Sequence, residues 1–120
     1  MIRVADWPRL AAALAGLGYR LAQGGPPTNT VLLDPSGRQV DLQPVRFAPN
    51  GDGIYRMENG EDWPFPAAGF AGHGRIGKRQ VRCLTPEVEV LTHTGYELAE
   101  KDRADLAALA ARFGMEIPAT

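Results

Sequence analysis

The sequence is poor in the residues that usually announce a metal or redox site: it has one cysteine and two histidines in 120 residues. A lone Cys83 excludes an internal disulfide and cannot by itself build a cysteine zinc site; it suits a reducing, cytoplasmic setting. His73 and His93 have no second histidine or cysteine at ligand spacing. No apolar run approaches the ~20 residues of a membrane span, and the first residues lack the apolar core of a signal peptide. Charge of one sign is also missing. Thirteen basic and fourteen acidic residues leave a net charge of −1. No predicted helix carries a Lys/Arg cluster, so neither nucleic acid nor a membrane is expected as partner. The glycines show no period, which argues against collagen and solenoids.

What is present describes an ordinary globular chain, 44% hydrophobic and 22% charged, of a length that suits one domain over residues 1–120. Fourteen glycines and ten prolines, mostly between positions 16 and 77, predict many short elements joined by turns. Asp6 stands as an N-cap before Pro8. Leu10, Leu14 and Leu17 then recur at helical spacing up to Gly18. Strands are expected over 19–23 and 28–33. The turn Asp34-Pro35-Ser36-Gly37 has type I chemistry, and a returning strand over 38–47 makes residues 28–47 a hairpin, with Pro44 ending or fraying its ladder. Residues 48–72 read as a long aromatic loop around Tyr55, Trp63, Phe65 and Phe70, with a short strand at 54–57. Residues 74–84 read as a second hairpin. Thr85-Pro86-Glu87 opens a helix running to about His93. A last helix from about Glu100 places Leu106, Leu109 and Phe113 on one face and stops at Gly114. The order predicts an α+β fold, a mixed or antiparallel sheet with flanking helices.

Few residues stand out chemically. Asp41 lies mid-strand, with Val40 and Leu42 on one face and Asp41 and Gln43 on the other; the pattern alone reads as a half-solvated strand. His93 falls at a helix C-terminus, where an imidazolium suits the dipole, and His73 lies in a glycine-rich loop. Gly72-His73-Gly74-Arg75-Ile76-Gly77 has dinucleotide-loop spacing, but a strand rather than a helix is expected after it, which rejects that reading. Lys101 and Asp105 are spaced to pair on a helix. Cys83, on an apolar strand, is expected to be buried.

Four segments resemble the lincosamide and aminoglycoside nucleotidyltransferases of the polymerase-β-like superfamily: DWPRLAAALAGLGYRL (Asp6–Leu21), RQVDLQPV (Arg38–Val45), GRIGKRQVRCLTPE (Gly74–Glu87) and HTGYELAEKDRADLAALAARFG (His93–Gly114). The last is the most specific. The resemblance implies transfer of a nucleoside monophosphate from a nucleoside triphosphate to a drug hydroxyl, with Mg²⁺. It places Asp41 as catalytic base or metal neighbour. His93, Tyr96, Lys101 and Asp102 match the corner flanking the nucleotide, and Tyr55 and Trp63 fall in the segment expected to meet the acceptor. Where the family often has His or Glu two residues past the acid, this chain has Gln43, which does not ionise. The family's Gly-Gly turn and Asp-x-Asp strand have no counterpart before Asp6. The resemblance therefore implies a partial nucleotidyltransferase fold, incomplete or inactive as given, with a bare sheet edge that favours a homodimer. The alternative expectation is a non-catalytic dimeric binding or assembly module derived from the same fold.

Overall fold

The structure, a computed structural model, describes residues 1–117. It is α+β, as expected, and divides into two compact units, Met1–Phe65 and Pro66–Thr120.

The first unit opens with β1 (Ile2–Arg3), a 3-10 turn (Val4–Asp6) and α1 (Trp7–Gly16). Asp6 occupies the N-cap position without capping. Its carboxylate instead accepts Arg3 Nε–H at 2.8 Å and meets Arg9 at 3.6 Å. A charge-assisted bond to a guanidinium three residues away outcompetes the weaker bond to a backbone N–H. Gly18, at φ +91°, ends the turn after α1 in a conformation that favours glycine.

Strands β2 (Arg20–Gly24), β3 (Thr30–Leu33) and β4 (Gln39–Leu42) form an antiparallel sheet in the order β2-β3-β4. The predicted turn closes it, with Gly37 N–H donating to the Asp34 carbonyl at 3.0 Å. The strand expected over 38–47 does not run through. It breaks at Gln43, and β5 (Pro44–Phe47) joins a second sheet, β1-β5-β6-β7, with β6 (Gly53–Arg56) and β7 (Asp62–Phe65). The reason is Pro44, which has no N–H to continue a ladder with β3. The Gln43 carbonyl accepts Ile2 N–H at 3.1 Å, and β5 runs parallel to β1 and antiparallel to β6. Residues 48–72, expected to be mostly loop, contain the β6–β7 hairpin and a 3-10 turn over Ala67–Ala71. Pro64 masked β7 in the sequence; it is tolerated because β7 is an edge strand. Thr30, Leu32, Leu42, Val45, Tyr55 and Phe65 form the buried interior of this unit.

The second unit contains β8 (Gly72–Ile76) paired with β9 (Arg79–Cys83), then α2 (Pro86–Thr92) and α3 (Glu100–Phe113). A strand follows β8, so the dinucleotide loop is rejected on structure as well. Thr85 occupies the N-cap of α2 but makes no side-chain cap bond. Val90, Leu98 and Leu106 form the core, with Leu109 and Met115 against it. Phe113, expected on that face, is 51% exposed and lies under the Arg112 guanidinium. Gly114, at φ +66°, turns the chain so that Met115 fills the place instead. Cys83 is exposed rather than buried, because β8 and β9 are a lone two-stranded ribbon solvated on both faces. No described helix is long and apolar enough to cross a membrane.

Asp34 is the buried acid of the first unit, 8% exposed. Burial pushes its carboxyl up, but the Arg38 backbone N–H, the Arg38 guanidinium at 2.8 Å and the Ser36 hydroxyl together hold it below the usual carboxylate range. A lowered folded-state value means that this contribution is complete above the unfolded value of about 3.9 and is lost as pH falls through the lowered one. Urea denaturation across pH 2–6 is expected to lose stability on the acid side, and Asp34→Asn to flatten that loss. An Asp34 carboxyl that titrates at or above the ordinary value by NMR contradicts this account.

Candidate functional site

The sheet change at Gln43 builds a cavity in the first unit. Because Val40 and Leu42 turn inward, Asp41 and Gln43 face solvent from the end of β4. Tyr55 reaches the same space from β6, and Asn29 from the β2–β3 loop. Met57, Glu58 and Asn59 reach it from the tip of the β6–β7 hairpin, and the cavity measures about 720 Å³.

Each wall is fixed locally. Tyr55 is 9% exposed, and its hydroxyl accepts the Asn29 backbone N–H at 3.1 Å. The loop can bring that N–H there because Gly24, at φ +69°, has no side chain; a Cβ would stand 2.0 Å from the Asn29 carbonyl oxygen. Thr30, fully buried, donates its hydroxyl to the Thr28 carbonyl and pins the loop exit. The hairpin tip is closed by Met57 N–H to the Glu61 carbonyl at 2.8 Å and by Glu61 N–H to the Asn59 side-chain oxygen at 2.9 Å.

The lining is acidic. Asp41 and Glu58 bring two carboxylates, Asn29, Gln43 and Asn59 are neutral, Met1 with the amino terminus also lines the cavity, and no Lys, Arg or His side chain does. Burial pushes the Tyr55 phenol up, the Asn29 N–H opposes that, and the negative charges of Glu58 and Asp41 add to it. Tyr55 therefore stays protonated. With its lone pair engaged by Asn29, its O–H is left to donate. A cavity of this kind attracts a cationic ligand, and Asp41 can take a proton from a hydroxyl placed between it and Tyr55.

Of the residues singled out in the sequence, Asp41 and Tyr55 come together here. Trp63 stands directly across the ladder from Tyr55 on the same sheet face and is not among the lining residues. His93, Tyr96, Lys101 and Asp102 gather in the second unit, at the corner between α2 and α3. The His93 Nδ1–H donates to the Glu89 carbonyl at 2.7 Å, and Nε2 lies 3.9 Å from Asp105 Oδ2. Lys101 Nζ–H donates to the same oxygen at 3.2 Å, the pairing expected from its spacing. Asp102 accepts the Ala99 N–H at 2.9 Å and so caps α3. The Tyr96 phenol is pushed up by its partial burial, then by the charge and hydrogen bond of Asp102. Asn29, Glu58 and Asn59 were missed in the sequence. Glu58-Asn59-Gly60 is a hairpin-turn signal between two short strands, hidden because β7 was not recognised.

Among the described residues, no group of three or more His, Cys, Asp or Glu side chains is placed to hold a metal. Magnesium carried on a nucleotide needs only one or two protein carboxylates beside phosphate oxygens and waters. Asp41 and Glu58 fit that lesser requirement, not a two-metal clamp.

The family, and with it the nucleotidyltransferase-like class, is shown by comparison with known proteins. The chain belongs to the aminoglycoside-2''-adenylyltransferase family, whose model matches residues 1–109. It is similar to a lincosamide resistance protein of Staphylococcus haemolyticus, 24% identical over 93 residues, which are 78% of this chain and 57% of that protein. The chain thus spans little more than half the length of that curated relative. Its fold matches the crystal structure of the lincosamide antibiotic adenylyltransferase LnuA with lincomycin bound. The TM-score is 0.74 at 21% identity, covering 91% of this chain and 68% of LnuA.

Replacing Tyr55 by Phe leaves the Asn29 N–H without its partner. Stability is expected to fall by about 1–3 kcal/mol, and amide exchange at Asn29 to speed up more than at Leu32. Unchanged exchange at Asn29 contradicts the proposed anchor.

Proposed function

We propose that this chain, acting as one domain over residues 1–120, is the acceptor-binding and base-carrying part of a nucleotidyltransferase. The enzyme would move a nucleoside monophosphate from a nucleoside triphosphate to the hydroxyl of a cationic antibiotic. The observation that carries the reading is the acidic cavity with Asp41 and Tyr55 in its wall. Membership of the adenylyltransferase family and the antibiotic-related names of the relatives support it. The free Cys83 suits a cytoplasmic protein.

In this reading Asp41 takes the proton of the acceptor hydroxyl. The freed oxygen forms a bond to the α-phosphorus as the bond to pyrophosphate breaks, and pyrophosphate carries away the electron pair. Tyr55 donates its O–H to the acceptor oxygen and orients it, while Gln43, neutral, adds a hydrogen bond without competing for the proton. Trp63 extends the wall beside Tyr55 as an apolar surface for the drug. His93, Tyr96, Lys101 and Asp102 serve the nucleotide side. Mg²⁺, when carried on the nucleotide, supplies charge neutralisation at the phosphates, with Asp41 as its ligand from this chain. No Asp-x-Asp occurs in residues 1–120, so the chain alone binds acceptor without transferring nucleotide to it.

One observation favours the second reading, a non-catalytic dimeric binding module. Strand β2 is a sheet edge with all five residues exposed, and α1 beside it in the sequence has no buried residue. An edge with unpaired backbone groups and exposed Leu17 and Leu21 is a surface for a second copy. Both readings predict a homodimer by light scattering.

Calorimetry with lincomycin and with an aminoglycoside separates the function from its absence. One of them is expected to bind, and Asp41→Asn to weaken binding about tenfold through the lost charge. Addition of ATP and Mg²⁺ is expected to yield no adenylylated drug from the chain alone. No heat with either drug overturns the acceptor reading. Full turnover overturns the assignment of the chain to the acceptor part only.

A further inference from the structure

The β8–β9 ribbon gathers unpaired positive charge within a chain of net charge −1. No acidic residue occurs from Trp63 to Pro86, and within that stretch stand His73, Arg75, Lys78, Arg79 and Arg82. All five are exposed. Among the described residues, none of these Lys and Arg side chains pairs with a carboxylate; the ion pairs present use Arg3, Arg9, Arg38, Arg56, His93 and Lys101. At the base of the ribbon the Thr85 N–H donates to the Gly69 carbonyl at 2.9 Å, which fixes the point from which the two strands leave.

The register sorts these side chains into a pattern. His73 is directly opposite Arg82, and Arg75 directly opposite Gln80. Direct partners share a face, and so do residues two apart on one strand. His73, Arg75, Gln80 and Arg82 therefore form a two-by-two patch of hydrogen-bond donors on one face. The far face carries glycines, Val81 and Cys83, with Arg79 at its outer end, and Lys78 sits in the turn. The types on the first face are those that read base edges. The forks of Arg75 and Arg82 match the O6 and N7 acceptors of guanine, and the Gln80 amide matches the N6 and N7 edge of adenine. Lys78 and Arg79, at the tip, are free to meet phosphates, which position without carrying sequence information.

We propose that the β8–β9 ribbon is a docking surface for B-form duplex DNA, laid in the major groove with His73, Arg75, Gln80 and Arg82 toward the base edges. A two-stranded ribbon is one of the elements that this groove, about 12 Å wide, admits; the deep, narrow major groove of an RNA duplex does not. Single strands are held on aromatic platforms, and residues 72–83 contain no Phe, Tyr or Trp. An anionic membrane asks for bulky apolar side chains beside the cations, and Ile76 is the one large apolar residue that the ribbon exposes. An acidic protein surface asks for an apolar anchor at the centre of contact, whereas the centre of this face is polar throughout. Five residues per strand cover roughly 17 Å, or about five base pairs. The helices carry no cationic cluster, and for that reason the sequence points away from nucleic acid; the charges become one face only when register is known. The inference uses nothing of the cavity and stands apart from the acceptor reading.

The full chain is titrated onto a fluorescent mixed-sequence DNA duplex of about 20 base pairs at about 50 mM salt, and anisotropy is followed. The duplex is expected to bind at least about tenfold more tightly than the RNA duplex of the same sequence, either single strand, or phosphatidylserine vesicles. The double variant Arg75→Gln, Arg82→Gln is expected to weaken it at least about tenfold. Lys78→Gln is expected to lower the slope of log K against log salt by about one. Arg46→Gln, at an exposed arginine outside the ribbon, leaves binding unchanged. Guanine replaced by 7-deazaguanine, which lacks the N7 acceptor, weakens binding at least about threefold. Backbone NMR shifts on adding DNA fall in residues 72–83. The proposal is overturned if the double variant binds the duplex as tightly as the parent, or if the shifts fall outside the ribbon. It is equally overturned if RNA duplex, single strand or vesicles bind as well as the DNA duplex, or if the DNA duplex does not bind at all. Equal binding of the 7-deazaguanine duplex overturns the major-groove placement. Drug binding measured on the same double variant reads the acceptor cavity separately, so failure of one reading is not failure of the other.

Discussion

Between Leu42 and Val45 the backbone leaves one sheet and enters another, and the cavity depends on that change. A strand continued past Gln43 would keep pairing with β3, and β5 would not lie between β1 and β6. Pro44 prevents it by lacking the N–H that the ladder requires. It is itself buried, so the break is held by packing as well as by a missing donor. The consequence is that Asp41 and Gln43 end one sheet where Tyr55 of the other comes near. Two short strands thereby make a concave, polar wall that neither sheet has alone.

The Asn29–Tyr55 bond ties that wall together across the sheets. It joins a loop made possible by Gly24 to a phenol on β6, and it fixes which way the phenol's own proton is offered. The acceptor chemistry follows from this arrangement: a base on β4, a donor on β6, and a second carboxylate at the hairpin tip that favours a cationic ligand. In the second unit the logic is different. His93 bonds back onto α2 through the Glu89 carbonyl, Lys101 and Asp102 bond within α3 to Asp105 and Ala99, and the His93 ring approaches Asp105 across the two helices at 3.9 Å. The same residues thus have a structural reason for being there besides the nucleotide role proposed for them.

Much of the fold was legible in the sequence where local chemistry decides it. The Asp34–Gly37 turn, the start of α2 at Pro86, the Gly114 stop and the Lys101–Asp105 pair all follow from spacings of one to four residues. The errors arose where a neighbour outside the recognised motif intervened. Asp6, Phe113 and Cys83 were assigned by pattern, and each was decided by a competing or absent neighbour: Arg3, three residues away, for Asp6, Met115 beyond the Gly114 turn for Phe113, a missing covering layer for Cys83. Strand β7 was hidden because proline argues against a strand until its edge position is known. The candidate site was half legible. Asp41 stood out only through family resemblance, and Tyr55 as one aromatic among several. Glu58, Asn29 and the basic patch require register and loop closure, which composition does not contain.

The central claim is that the Asp41–Tyr55 cavity is where a cationic drug binds. A crystal structure of this chain soaked with lincomycin and, separately, with an aminoglycoside tests it most directly. The account predicts one of the drugs in the cavity, with a hydroxyl between the Asp41 carboxylate and the Tyr55 phenol and its cationic group toward Glu58. Both drugs absent from the cavity, or bound instead at the His93–Asp105 corner, would contradict it.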